Sequence, residues 1–183
     1  QEKDVPKKAI RPKRDLGHHL ALCQGFSMSR REGKTVAMFL DDMWCYSPVV
    51  ALGFAKPPRY YLEGRTYFPS HVGTLETAAK LAKDFPRLQY GKYVGVASAP
   101  LKTVDFRPDM VIIYCDSAQL RSLLAALKYK HGELVTSTVE PAAACVQATV
   151  PALKKDRCQV AVPCGGDRRW ALAQDDEMIF TVP

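Results

Sequence analysis

The sequence predicts a single α+β domain in which helices flank a mixed β-sheet. Its composition is that of a globular protein, because 47% of the 183 residues are hydrophobic and 25% are charged. A chain of this length buries a large core without needing disulfides. Segments with the apolar period of a helix also alternate with short apolar segments typical of strands. We expect a basic N-terminal arm over residues 1–14 and the domain over residues 15–183.

Turn and cap signals place the elements of the first half. Asp15 is expected to cap a first helix that ends at Gly33, and Ser47-Pro48 has the residue types of a helix start. Thr74 is expected to cap a helix that stops before Pro86. The predicted helices cover residues 15–31, 47–54 and 74–85, an aromatic-rich helix and loop cover 59–68, and the predicted strands cover 35–40 and 93–99.

The second half begins with an almost wholly apolar strand at 110–114, which predicts burial of both its faces. Asp116 and Gln119 resemble a capping box, followed by leucines at helical spacing and a stop at Gly132. With a strand at 134–139, this order favours a parallel pair. A helix opened by Pro141, with Pro151 near its end, and strands at 158–162 and 178–182 complete the domain.

Two segments follow the same order of helix, strand and cysteine. Cys23 lies in a helix that is followed by a strand and then by Cys45, and Cys145 and Cys164 flank a second such segment. One interpretation is an internal repeat whose pseudo-twofold axis brings the strand-end cysteines together. The segments share little further identity, so two unrelated segments are the other interpretation.

The chain carries a net charge of +7, and the stretch from Lys7 to Arg14 is its densest basic part. Such a run is typical of a nucleic-acid or acidic-partner site, or of a solvated tail. No DNA- or RNA-binding signature accompanies it, so we do not expect nucleic acid as a partner. No apolar run is long enough to span a membrane, and no signal peptide is visible. We therefore expect a cytoplasmic protein without membrane contact.

The six cysteines fall into two classes, and none forms a C-x-x-C pair. Two lie in predicted strands and are expected to be small core residues: Cys115 and Cys158. Four lie at predicted helix or turn positions: Cys23, Cys45, Cys145 and Cys164.

Three of these four have surroundings that favour a thiolate. Cys45 precedes a helix N-terminus and Cys145 lies in the first turns of a helix, where backbone N–H groups and the helix dipole stabilise negative charge. The third, Cys164, is followed by two glycines that let the backbone approach a ligand and by a basic side chain: Gly165, Gly166 and Arg168. Taken singly, each cysteine has an equally simple interpretation as an inert, partly buried thiol.

Other candidate residues give weaker signals. The adjacent His18 and His19 cannot share one helix face, so at most one is functional. The acidic runs at 41–42 and 175–177 suit a hard cation or a solvated turn, and the aromatic residues at 59–61 and 67–68 suit a flat ligand or the core. Phosphate-loop, dinucleotide, serine-hydrolase and zinc-protease motifs are absent from the sequence.

Three stretches taken together resemble domain-of-unknown-function family 169: Cys45-Tyr-Ser-Pro-Val-Val-Ala-Leu-Gly-Phe-Ala-Lys-Pro-Pro58, Pro108-Asp-Met-Val-Ile-Ile-Tyr114 with Ala118-Gln-Leu120, and Pro163-Cys-Gly-Gly-Asp-Arg-Arg169 with Asp176-Glu177. This family is common in archaea and anaerobic bacteria. The resemblance implies an intracellular protein of oxygen-poor habitats, an N-terminally shortened chain, and motif cysteines at Cys23, Cys45, Cys145 and Cys164. The family gives no reaction.

These observations leave three hypotheses about function. The first is an iron–sulfur cluster or other thiolate-bound metal held by the four cysteines, with a redox, cofactor-handling or sensing role and a redox protein or small anionic ligand as partner. The second is an enzyme that uses the thiolate of Cys164 or Cys45, with Arg168 or Arg169 binding an anionic substrate. The third is a binding module that uses the basic arm.

Overall fold

The computed structural model describes residues 5–132, 134–140 and 142–183, and this part of the chain has the α+β fold predicted from the sequence. The chain divides into two compact units, Gln1–Asp105 and Phe106–Pro183. Each unit contains a small sheet, and the pairing in both is antiparallel rather than mixed. No helix of the described residues is both long and apolar enough to cross a membrane.

The helices and strands of the first unit are α1 (Leu22–Glu32), β1 (Val36–Phe39), α2 (Tyr46–Ala51), α3 (Arg59–Leu62), α4 (Leu75–Asp84) and β2 (Gly95–Ser98). Strands β1 and β2 pair with Val36 opposite Ser98. Helix α1 packs against β1 through its buried face, which includes Leu22 and Phe26. Its end at Gly33, where φ is 70°, is the predicted end.

The N-terminal segment differs from the prediction of a helix capped by Asp15. Residues Pro12–Leu16 form a π-helical turn, and α1 starts only at Leu22. Ala9 is buried, and Ile10 forms a parallel bridge with Val36 of β1. From Ala9 onward the segment is therefore part of the first unit, because its backbone and apolar side chains find partners there that the local sequence does not reveal.

The N-cap of helix α2 is Cys45, two residues before the predicted cap Ser47. Helix α4 starts at the predicted cap: the backbone N–H of Thr77 donates a hydrogen bond of 3.1 Å to the Thr74 hydroxyl. The aromatic-rich segment forms α3 followed by turns, and its Tyr61 is fully buried. These elements surround the start of α2 with aromatic side chains.

The second unit contains β3 (Val111–Cys115), α5 (Ser117–His131), α6 (Ala144–Lys155), β4 (Gln159–Ala161), α7 (Gly165–Ala171) and β5 (Met178–Val182). Strand β5 lies between β3 and β4 and pairs antiparallel with both. The core beside this sheet contains Ala144, Ala148, Ala161 and Ile179.

Three predictions for this unit are wrong. Residues 134–139 form no strand among those described, and the partner of β3 is the antiparallel β5, so the predicted parallel pair does not form. Strand β3 is at the edge of its sheet and four of its five residues are half-buried, so it is not covered on both faces. By contrast, Asp116 and Gln119 form the predicted capping box of α5, and Gly132 ends that helix. Pro141 lies outside the described residues, and α6 continues through Pro151 to Lys155.

Candidate functional site

A parallel bridge between Leu20 and Met43 places two cysteine-bearing segments side by side in the first unit. The backbone N–H of Trp44 donates to the Leu20 carbonyl at 3.2 Å. Cys23, the second residue of α1, follows Leu20 by three positions, and Cys45, the cap of α2, follows Met43 by two. The bridge therefore brings together the segments that lead into α1, whose second residue is Cys23, and into α2, whose N-cap is Cys45. Cys23 is buried and Cys45 is half-buried.

A tryptophan side chain links the same two helix starts. The indole Nε1 of Trp44 donates a hydrogen bond of 3.1 Å to Oε1 of Gln24 on α1. The same oxygen accepts the backbone N–H of Ala21 at 2.8 Å, which caps α1. Because Trp44 directly precedes Cys45, this contact positions the cap residue of α2 relative to α1.

A buried chain of hydroxyl groups begins two residues after Cys45. The hydroxyl of Tyr67 donates to the Ser47 hydroxyl at 3.0 Å, and the hydroxyls of Tyr61 and Tyr67 lie 2.9 Å apart. Burial raises the pKa of both tyrosines, and the nearby Cys45 adds a smaller effect in the same direction. The tyrosine hydroxyls are therefore neutral hydrogen-bonding groups next to Cys45 at physiological pH.

The sequence analysis did not single out Arg87, which lies beside Tyr61 at the end of the row of buried hydroxyl groups. Its guanidinium carbon is 5.8 Å from the ring centre of Tyr61, and its Nη2 donates to the Ala82 carbonyl. The buried Nε has no hydrogen-bond partner in the part of the chain that the structure describes. An arginine after a Phe-Pro pair carries no sequence signal for this position. Only the folded chain brings it to Tyr61.

The second unit has the same arrangement of cysteines as the first: one lies at the start of a helix, and the other caps the next helix. Cys145 is the second residue of α6 and is buried, whereas Cys164 caps α7 and is half-buried. The backbone N–H of Ala144, the first residue of α6, lowers the pKa of the Cys164 thiol slightly, against larger effects that raise it. Cys164 also packs against the core that contains Ala144 and Ala148. The start of α6 therefore meets the cap of α7.

The charge around Cys164 differs from the sequence expectation of a stabilised thiolate. Burial and the nearby carboxylate of Asp167 raise the pKa of the Cys164 thiol to about 11. The guanidinium of Arg168 donates to the Gln174 carbonyl and lies 3.4 Å from Asp175, so its charge is engaged with the following loop. A metal-free Cys164 is a protonated thiol at neutral pH, which makes it a poor nucleophile.

The two glycines after Cys164 differ in their surroundings. A Cβ added to Gly166 would contact the Cys164 sulfur at 3.4 Å, whereas one added to Gly165 would meet open space. Binding of a cofactor by Gly165, Gly166 and Arg168 stays a prediction.

Both units share one order of elements with respect to two cysteines. In each, a helix with cysteine as its second residue is followed by a strand, by a cysteine that caps the next helix, and by a strand antiparallel to the first. This shared order is the one on which the hypothesis of an internal repeat is based. The cysteines related in this way are Cys23 and Cys45 in the first unit and Cys145 and Cys164 in the second, and each set is called a cysteine pair below.

The other candidates are structural or lie at the surface. Cys115 is buried in β3 as predicted for a core residue, while Cys158 is half-buried and precedes β4. His18 and His19 are exposed and lie outside the helices. None of the six cysteines, all within the described residues, forms a disulfide. In residues 5–132, 134–140 and 142–183, no three or more His, Cys, Asp or Glu side chains group as a metal site, so no unit holds a complete protein-only ligand set there.

Comparison with known proteins finds one family. A family model, DUF169, described as uncharacterised ArCR, matches residues 1–183. No curated protein and no solved structure matches the chain.

Proposed function

We propose that this chain, which belongs to the DUF169 family, binds a thiolate-ligated metal or an iron–sulfur cluster through its two cysteine pairs. The pairs are Cys23 with Cys45 and Cys145 with Cys164. The role that fits such a centre is electron transfer, cofactor handling or sensing, with a redox protein or a small anionic ligand as partner. The observation that carries the proposal is the recurrence, in both units, of a cysteine-bearing helix start beside a cysteine-capped helix.

Helix starts suit metal-bound thiolates for an electrostatic reason. The first N–H groups of a helix lack partners within the helix and favour nearby negative charge. Cys23 and Cys145 occupy the second position of helices with 11 and 12 residues. Hydrogen bonds from backbone N–H groups to sulfur also tune iron–sulfur centres, and Cys164 packs against Ala144 at the start of α6.

The raised pKa of Cys164 argues against an activated nucleophile and is compatible with a metal ligand. A thiol that is protonated at pH 7 loses its proton outright when it coordinates a metal. Because each pair supplies two sulfur ligands, the remaining coordination positions need sulfide, water or further protein groups. An iron–sulfur cluster brings sulfides of its own, which fits a pair of cysteines better than a closed four-cysteine zinc site within one unit.

The test is the metal and acid-labile sulfide content of protein purified without oxygen, together with its visible spectrum. Two double variants each remove one pair: Cys23→Ser with Cys45→Ser, and Cys145→Ser with Cys164→Ser. The matched control is Cys115→Ser with Cys158→Ser, which removes the two cysteines outside the pairs. We expect bound metal in the wild type and in the control, and a loss of about half of it from each pair variant when each pair holds an equal share. Metal-free wild-type protein, or full loading of both pair variants, would overturn the proposal.

A further inference from the structure

The two-stranded sheet of the first unit, formed by β1 and β2, has different surroundings on its two faces. On one face, the Ser98 hydroxyl of β2 lies 2.8 Å from the hydroxyl of Ser29 on α1. Successive residues of a strand point to opposite faces, so Ala37 and Ala97, which are opposite each other in the register, belong to the other face. Helix α1 therefore packs on one face of the sheet, and these two alanines mark the second face.

A groove of about 300 Å³ lies on this second face. Its lining includes two pairs of residues that are opposite each other in the sheet: Ala37 with Ala97 and Phe39 with Gly95. Because the two alanines have only methyl side chains, the space above them stays open to a ligand. Cavities of this volume are at the lower end of those that hold small molecules.

Two aromatic residues, Phe39 and Tyr93, line the groove. The Phe39 ring is fixed from two sides. A Cβ added to Gly95 would lie 3.2 Å from its Cδ1, and the guanidinium carbon of Arg11 is 3.9 Å from the ring centre. Aromatic rings pack favourably with a further ring in stacked or edge-to-face geometry. The groove therefore suits a planar aromatic ligand.

Lys92 is the one charged side chain among the described residues that line the groove. Its ammonium nitrogen lies 5.2 Å from the centre of the Tyr93 ring. Lys92 is exposed and has no carboxylate partner within the part of the chain that the structure describes. A ligand that packs against Tyr93 can therefore pair a carboxylate with this ammonium group, and such a charge-assisted contact favours an anion over a neutral ligand.

We propose that this groove binds a planar aromatic carboxylate, with the aromatic ring against Phe39 and Tyr93 and the carboxylate on the Lys92 ammonium. No cysteine is among the described residues of the lining. The site is therefore separate from the cysteine pairs, and it does not depend on the proposed metal centre.

The experiment is a calorimetric titration of the full chain with naphthoate, a planar aromatic carboxylate, and with naphthamide, which has the same rings and no charge. We expect the wild type to bind naphthoate more tightly than naphthamide. Lys92→Gln should bind naphthoate about fivefold more weakly, as for the loss of one exposed ion pair, and naphthamide as the wild type does. The matched control is Lys102→Gln, which removes an exposed charge outside the lining and should leave both affinities unchanged.

A second variant tests the groove itself. Ala97→Leu places a larger side chain in the groove and should weaken the binding of both probes by at least about tenfold, because the rings lose their space. Wild-type affinity in this variant would overturn the proposal, because the probes then bind elsewhere. If the variant does not fold, amide NMR spectra of the isotope-labelled wild type decide. Shifts on addition of naphthoate that are concentrated at residues 92–97 support the site, and shifts confined to other residues overturn it.

The wild type and Lys92→Gln test the class of ligand. Wild-type protein that binds neither probe overturns the proposal. Equal affinity of the wild type for the two probes, or unchanged naphthoate affinity in Lys92→Gln, overturns the assignment of a carboxylate to Lys92. None of these outcomes bears on the metal content of the protein, so this inference and the proposed function fail independently.

Discussion

The guanidinium Nε of Arg11 donates a hydrogen bond of 2.7 Å to Oδ2 of Asp42, whose side chain is almost wholly buried. The same carboxylate accepts backbone N–H groups from Lys13 and Phe39 at 3.1 and 2.9 Å. The Arg11 guanidinium also covers the Phe39 ring at 3.9 Å. A basic residue of the predicted arm is therefore part of the structure that supports β1 and the segment leading to Cys45.

Replacement of Arg11 by alanine should destabilise the first unit strongly. Removal of one partner leaves the charge of Asp42 buried without its cation, which costs about 3 kcal/mol of unfolding free energy. Lys13→Ala is the control. The Lys13 ammonium and the Asp41 carboxylate are 3.6 Å apart and both side chains are exposed, so this ion pair should contribute less than about 1 kcal/mol to the unfolding free energy. Urea unfolding of both variants measures the difference. Equal, small effects would show that Arg11 is a surface residue in solution.

Local signals predicted those elements whose ends are encoded by neighbouring residues. The Thr74 hydroxyl, the reciprocal contact of Asp116 with Gln119, and the left-handed Gly33 and Gly132 all act within four residues of the helix ends they define. Because these interactions are local, they are visible in the sequence. The same holds for Cys45 and Cys145, which the sequence places at helix starts, whereas it predicts Cys23 in the middle of a helix and Cys164 in a turn.

Long-range contacts account for what the sequence did not show. Arg11 and Asp42 are 31 positions apart, so a reader of the sequence sees a basic tail and an acidic turn as separate features. The partner of β3 is β5 at the C-terminus, and the nearer residues 134–139 form no strand. The effect of Asp167 on Cys164 also depends on burial, which reverses the influence expected from the adjacent arginines.

Gly64 should not tolerate a side chain, because it has a φ of 80° and its backbone lies close to the middle of α4. A Cβ there would collide with the backbone of Ala78 and Ala79. We expect Gly64→Ala to lower the unfolding free energy by about 3 kcal/mol or more, through overlap and backbone strain. Gly73→Ala is the control, since a Cβ at Gly73 meets nothing within 4 Å. Thermal unfolding of the pair tests this, and similar melting temperatures would contradict the packing.

Removal of the Tyr67 hydroxyl should weaken the buried hydroxyl chain without opening a large cavity. In Tyr67→Phe, the hydroxyls of Ser47 and Tyr61 each lose a partner, and we expect a loss of about 1–3 kcal/mol in stability. Tyr60→Phe removes the hydroxyl of an exposed tyrosine and should change stability by less than about 0.5 kcal/mol. Urea unfolding compares the two variants. If Tyr67→Phe leaves the unfolding free energy unchanged, the hydrogen bonds among these buried hydroxyl groups do not form in solution.

The pH dependence of the metal-free protein should reveal the buried thiol of Cys164. Its pKa rises from the ordinary 9.0 to about 11 on folding, so between these values the unfolded chain has lost a proton that the folded chain retains. Stability therefore falls as pH rises from about 9 to 11, by roughly 2–3 kcal/mol in total for this group. The raised pKa of the Cys115 thiol acts in the same direction.

Two measurements check this prediction. The rate of Cys164 alkylation by iodoacetamide, followed by mass spectrometry of the labelled peptide, should still be rising above pH 9. In Cys164→Ser, the fall in stability between pH 9 and 11 should be smaller than in the wild type. An alkylation midpoint at or below pH 9 would contradict the burial of the thiol beside Asp167. It would return Cys164 to the class of reactive cysteines, because a thiolate present near neutral pH is a competent nucleophile.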